Sequence, residues 1–100
     1  MRPRRLRIST PADQDMRRRI DYLAGLRGET FANEYAREMV SWLSGIAESG
    51  VQLGTALGDD PRIRTFGYAG HATVLARFHP EELLVMRVYF RGQDWRRGPR

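Results

Sequence analysis

The sequence predicts an α+β domain of order β-α-α-β-β-β, an antiparallel sheet with an N-terminal helical hairpin packed on one face, and three observations predict it. Apolar residues recur at three- and four-residue spacing from Ala12 to Ile46, broken once around Gly25 to Gly28. From Arg62 onward the period is two, with turn formers between the apolar runs. Ahead of both lies a short alternating segment, Arg5-Leu6-Arg7-Ile8.

That opening segment reads as a strand joining the sheet at one edge. Thr10-Pro11-Ala12-Asp13 then supplies an N-cap, a proline at the first helical position and an acid where the free amides of the first turn favour one, so a helix begins at Pro11. Ala12, Met16, Ile20 and Leu23 form its apolar stripe. A second helix starts around Glu29, and Phe31, Tyr35, Met39, Trp42, Leu43 and Ile46 give it a broad apolar face, with Glu34, Arg37, Glu38 and Glu48 largely off that face. The short connection implies an antiparallel pair of helices. Ser49-Gly50, Gly54 and Gly58-Asp59-Asp60-Pro61 make the next dozen residues a loop. Arg62 to Phe66, Ala72 to Phe78 and Leu83 to Arg91 follow as three strands joined by turns at Ala69-Gly70 and His79 to Glu82, an antiparallel meander.

A chain of 100 residues with 41% hydrophobic content forms one domain over residues 1–100, with 96–100 read as a flexible basic tail. No apolar run approaches the roughly 18 residues of a membrane span, and Met1 to Arg5 lacks the apolar stretch of a secretory signal, so a cytosolic protein with no membrane role is expected. With no cysteine and two separated histidines, His71 and His79, no metal centre or cofactor is expected.

All 17 basic residues are arginine. Arginine stays protonated and binds phosphate or carboxylate through two parallel hydrogen bonds, so binding and charge stabilisation are favoured over proton abstraction. Residues 1–10 carry four arginines and no acid, residues 11–60 carry a net charge of −4, and residues 61–100 a net of +5. The two basic ends define a surface suited to nucleic acid or an acidic protein. Strict alternation in the closing strand places Leu84, Met86, Val88 and Phe90 on a core face and Arg87, Tyr89 and Arg91 on the other.

The element order and its residues resemble the toxins of the RelE/ParE superfamily of type II toxin-antitoxin systems, over about Arg5 to Trp95. The resemblance is carried by Thr10-Pro11-Ala12-Asp13-Gln14-Asp15 at the first helix, Ile63-Arg64 and Ala76-Arg77 in the strands, and Val85-Met86-Arg87-Val88-Tyr89-Phe90-Arg91-Gly92-Gln93-Asp94-Trp95 at the end. Phe90 stands where many relatives have histidine, and Arg91 displaces the glycine that follows it.

Two activities are implied by that likeness. RelE-like members are ribosome-dependent mRNA endonucleases, for which Arg64, Arg77, Arg87 and Tyr89 would be the catalytic candidates. That chemistry needs a base as well as cations, and only His71, His79 and Tyr89 offer proton exchange near the sheet. ParE-like members inhibit DNA gyrase by binding. The long hairpin, Pro11 to Glu48, and the missing lysines place this chain closer to the ParE branch, with an inactive relative acting as a binding module as the remaining reading. The resemblance further implies a ParD-like antitoxin whose tail folds over the toxin and whose own domain binds operator DNA, so that DNA is reached only indirectly. Residues expected to meet antitoxin or target are Arg64, Arg77, Arg87, Tyr89, Arg91, Trp95, Arg96 and Arg97.

Overall fold

The computed structural model describes residues 2–90. Its elements run β1 (Arg5–Ile8), α1 (Thr10–Arg27), α2 (Glu29–Ser49), β2 (Thr55–Ala56), β3 (Ile63–Tyr68), β4 (Ala72–Phe78) and β5 (Glu82–Phe90). The five strands form one sheet of order β1-β5-β4-β3-β2. As expected, β3, β4 and β5 make an antiparallel meander. Two features differ from the expectation. β1 joins the sheet parallel to β5, which makes the sheet mixed, and the long loop contributes the two-residue strand β2, paired with β3 through Thr55 and Thr65.

The helical hairpin turns on a single residue. Gly28 ends α1 and precedes α2 with φ 94°, a conformation that L side chains rarely adopt, so the join can be this short only at glycine. The helix start differs by one residue from the reading above. Ser9, not Thr10, caps α1: its Oγ accepts the Ala12 N–H at 3.1 Å and donates to the Met86 carbonyl at 2.9 Å, while its own N–H bonds the Val85 carbonyl. Ser9 therefore finishes β1 and starts α1, leaving no loop between them.

Both helices pack on one face of the sheet. Met16 from α1 and Met39, Leu43 and Ile46 from α2 meet Phe66, Val74, Phe78, Leu83, Val85, Val88 and Phe90 from the strands. Tyr35 and Trp42 lie at the margin of this core, and Phe31 sits beyond it under the Arg27 guanidinium. Among the described residues no helix is long and apolar enough to cross a membrane.

The closing strand departs from simple alternation. Its buried residues are Leu83, Val85, Val88 and Phe90, whereas Leu84 and Met86, assigned above to the core, are only partly buried. The cause is a bulge: Leu75 faces Arg87 and the next residue, Ala76, faces Val85, so Met86 is extra. One inserted residue shifts the phase by one and restores the apolar face on its far side. Arg87 and Tyr89 nevertheless lie opposite the core, as alternation back from Val88 and Phe90 requires.

Candidate functional site

The sheet face away from the helices carries no element of the described chain. Pairing registers arrange its side chains in rows that cross the strands. The first row is Ile63, Arg77, Leu84 and Arg7, the second Thr55, Thr65, Leu75 and Arg87, and the third Gly67, Thr73 and Tyr89. Leu75, Leu84 and Ile63 are half-buried and Tyr89 is 38% exposed. The face is thus a partly apolar floor set with arginines.

The arginines expected at the site are not equivalent. Arg64 is not on this face: it pairs with the buried Ala76 and alternates with Phe66, and its guanidinium donates to three carbonyls, Leu53 at 3.0 Å, Pro61 at 2.9 Å and Gly54 at 2.6 Å. It ties the long loop to β3 and has little left to offer a ligand. Gly54 takes part in the same fastening: with φ 90° it lies so close to β3 that a Cβ there would sit 2.3 Å from the Thr65 carbonyl oxygen. Arg4 performs a similar task, donating to the carbonyls of His79 and Gly50.

Arg87 is also engaged, by a partner that the sequence reading left without a role. Asp15 on α1, only 5% exposed, accepts from Arg87 Nε at 2.8 Å and Nη2 at 2.9 Å, from Arg18 Nη2 at 2.7 Å and from the Val88 N–H at 2.9 Å. The last bond explains the location. β1 ends at Ile8 opposite Val85, so beyond that point the β5 edge has no neighbouring strand, and the Asp15 carboxylate takes the place of one. Burial alone raises the carboxyl pKa, but hydrogen bonds from Arg87 and Val88, with the charges of Arg87 and Arg18, outweigh it and hold Asp15 below the ordinary value. The Arg87 guanidinium also lies 5.3 Å from the centre of the Tyr89 ring, which it steadies from the other side.

Arg77 and Arg7 are the less committed cations. Arg7 makes one long contact, 3.5 Å to Glu82, with its side chain 67% exposed. Arg77 makes no hydrogen bond to an acid among the described residues, and its Nε is shielded from solvent without a partner. Glu82, assigned above to a turn, begins β5 and brings a carboxylate to the rim of this face. Arg91, Trp95, Arg96 and Arg97 lie outside the described residues.

The histidines belong elsewhere. His71 stacks against Tyr35, ring centres 6.0 Å apart and planes 11° from parallel, and meets Tyr68 edge-on. Burial pushes the Tyr35 phenol up despite the nearby Arg19, and it does the same to Tyr68. His79 lies in the β4–β5 turn, where its carbonyl accepts from Arg4. Neither shares a row with Arg77, Arg87 or Tyr89. Of the site residues, Asp15 and Arg7 were missed. Asp15 had one signal, the final acid of the helix-opening motif, while Arg7 depended on knowing which strand β1 joins.

No protein-family model matches the chain, and no curated protein matches it. Among solved structures, a chain described as "Chromosomal ParDE TA system from P. aeruginosa" superposes with a TM-score of 0.71, over 87% of this chain and 95% of that one, at 17% sequence identity. The chain has the α+β fold of that neighbour, two helices against an open mixed sheet.

Proposed function

We propose that this chain is the toxin of a type II toxin-antitoxin pair, held inactive by a ParD-like antitoxin, and that it inhibits DNA gyrase by binding rather than by catalysis. The likeness to a ParDE chain over nearly the full length of both proteins supports the toxin reading. The helices of 18 and 21 residues that form the hairpin support the ParE branch.

The observation that carries the binding reading is the engagement of Arg64 and Arg87. Cleavage of RNA by an internal hydroxyl needs cations free to meet a crowded phosphate and a base within hydrogen-bond reach of the nucleophile. Arg64 is bound to backbone carbonyls and Arg87 to Asp15. Of the arginines expected to serve cleavage, Arg77 alone is left without such partners among the described residues, and Glu82, the carboxylate at the rim of the open face, is drawn to Arg7 at 3.5 Å.

The test is direct. Purified protein is expected to block supercoiling by gyrase or to trap cleaved DNA, and to leave ribosome-bound mRNA intact. Codon-dependent cuts in the mRNA with supercoiling unaffected would overturn the gyrase reading. Induction is expected to halt growth, and co-expression of a short acidic protein encoded beside this gene is expected to restore it. Unimpeded growth without that partner overturns the toxin reading itself.

A further inference from the structure

We propose that the open sheet face docks one amphipathic helix of an acidic partner, lying across the strands so that two acids seven residues apart meet Arg7 and Arg77 and the apolar residues between them rest on Leu84. The proposal rests on the toxin reading in taking the antitoxin as the source of that helix.

The register supplies the spacing. Arg77 on β4 and Arg7 on β1 both pair with Leu84 on β5, so the three residues lie in a line perpendicular to the strands. Neighbouring strands are about 4.8 Å apart, which separates the two arginine backbones by about 10 Å with an apolar side chain midway. An α-helix rises about 1.5 Å per residue, so residues seven apart share a face at about 10.5 Å, with residues three and four apart between them. Acid, apolar and acid on such a helix coincide with arginine, leucine and arginine on the sheet. An extended peptide fits less well, because its same-face positions fall at about 6.6 Å and 13 Å. The half-buried Leu75 in the next row widens the apolar floor to the breadth of a helix.

Charge excludes the nearer occupants. Residues 91–100 carry four arginines and one acid, a poor match in charge for a face set with arginines. A second copy offers the wrong pattern: no two acids lie seven residues apart within α1 or within α2, and Asp13 and Asp21 bracket a cation, Arg17. The receptive groups are available. Arg77 forms no ion pair among the described residues, although Asp60 lies near enough to feel its charge, and the Arg7 contact with Glu82 is long and exposed, an arrangement that a stronger carboxylate displaces easily.

Two helical peptides of identical composition test the proposal against the full chain by fluorescence anisotropy. In the first, two glutamates seven apart bracket two leucines; in the second the same residues are permuted to set the glutamates four apart. The first is expected to bind at least about fivefold more tightly at low salt, the scale of one well-placed surface ion pair. Arg7→Glu and Arg77→Glu are each expected to weaken it about tenfold, and a peptide with arginines in place of its glutamates is expected to bind the double variant and not the unaltered chain. Thermal melts establish that the variants fold, and Arg7→Gln and Arg77→Gln are expected to fall between.

Equal affinity for the two peptides, or indifference to both reversals, overturns the proposal. So does displacement of the bound peptide by a peptide of residues 91–100 or by a single-stranded oligonucleotide, or self-association of the chain that the reversals abolish. These failures leave the gyrase and growth tests untouched. Conversely, a register-dependent peptide that binds a chain with no effect on growth supports the docking geometry while the toxin reading falls.

Discussion

Arg87 grips Asp15 with two parallel hydrogen bonds, Nε to Oδ2 and Nη2 to Oδ1, joining α1 to the β5 edge across 72 residues of sequence. A carboxylate taken from water is costly unless its lone pairs are filled, and here Arg87, Arg18 and the Val88 amide fill them.

The first prediction follows from the lowered carboxyl of Asp15. A carboxylate held below its unfolded value contributes stability that is present above that value, about pH 3.9, and is lost as pH falls through the folded value. Asp15→Asn is therefore expected to cost about 2–3 kcal/mol at neutral pH, with the deficit shrinking progressively below about pH 4. Urea denaturation of both proteins from pH 7 into the acid range measures it. A deficit unchanged throughout that range would show that Asp15 acts by shape and not by charge.

Arg87→Ala separates structure from recognition. It leaves the Asp15 carboxylate with Arg18 and Val88 alone and is expected to destabilise the fold by about 2 kcal/mol. Arg87→Lys restores the charge without the two-pronged geometry and is expected to recover about half of that. Gyrase inhibition is expected to follow folded fraction across the pair. Inhibition lost in a fully folded Arg87→Lys protein would assign the guanidinium to the target.

Tyr89 distinguishes stacking from proton transfer. Its ring is exposed beside Arg87 and its hydroxyl makes no hydrogen bond among the described residues. Tyr89→Phe is expected to change stability by less than about 0.5 kcal/mol and to leave inhibition intact, while Tyr89→Ala weakens it. A Tyr89→Phe protein that folds and has lost all activity would require the hydroxyl, and with it a chemical step.

Gly54→Ala and Arg64→Gln probe the fastening of the long loop. The alanine must adopt a positive φ and push its Cβ into the Thr65 carbonyl, a cost of about 3 kcal/mol read from chemical denaturation. Arg64→Gln removes bonds to carbonyls that water can reach, so global stability is expected to fall by only about 1 kcal/mol, while amide hydrogens between Val51 and Pro61 exchange faster. Unchanged exchange in that loop would mean Arg64 holds nothing in place.

The parts of the fold legible in the sequence are those with a local cause. Pro11 and Asp13 mark the first turn of α1, Gly28 the break, and Ala72 to Phe78 alternates without interruption. The bulge at Met86 was hidden because Leu83 to Met86 is apolar at every position, so either phase reads as a core face. The parallel pairing of β1 depends on β5, some 77 residues away, and carries no local mark. The site was half legible for the same reason. Alternation in the closing strand put Arg87 and Tyr89 on one face, but the competition for the guanidinium groups of Arg64 and Arg87 was decided by loop carbonyls and by Asp15, which only the tertiary structure brings near.

The pairing of β1 with β5 has a consequence in time as well as in space. During synthesis the strand at Arg5–Ile8 and the hairpin after it emerge first, and their sheet partner at Glu82–Val85 emerges last. Until then the apolar faces of both helices have no sheet to cover, and a nascent chain stalled before Glu82 cannot close its sheet. Closure of the sheet, and with it burial of the apolar helix faces, is thereby postponed until β5 has been made.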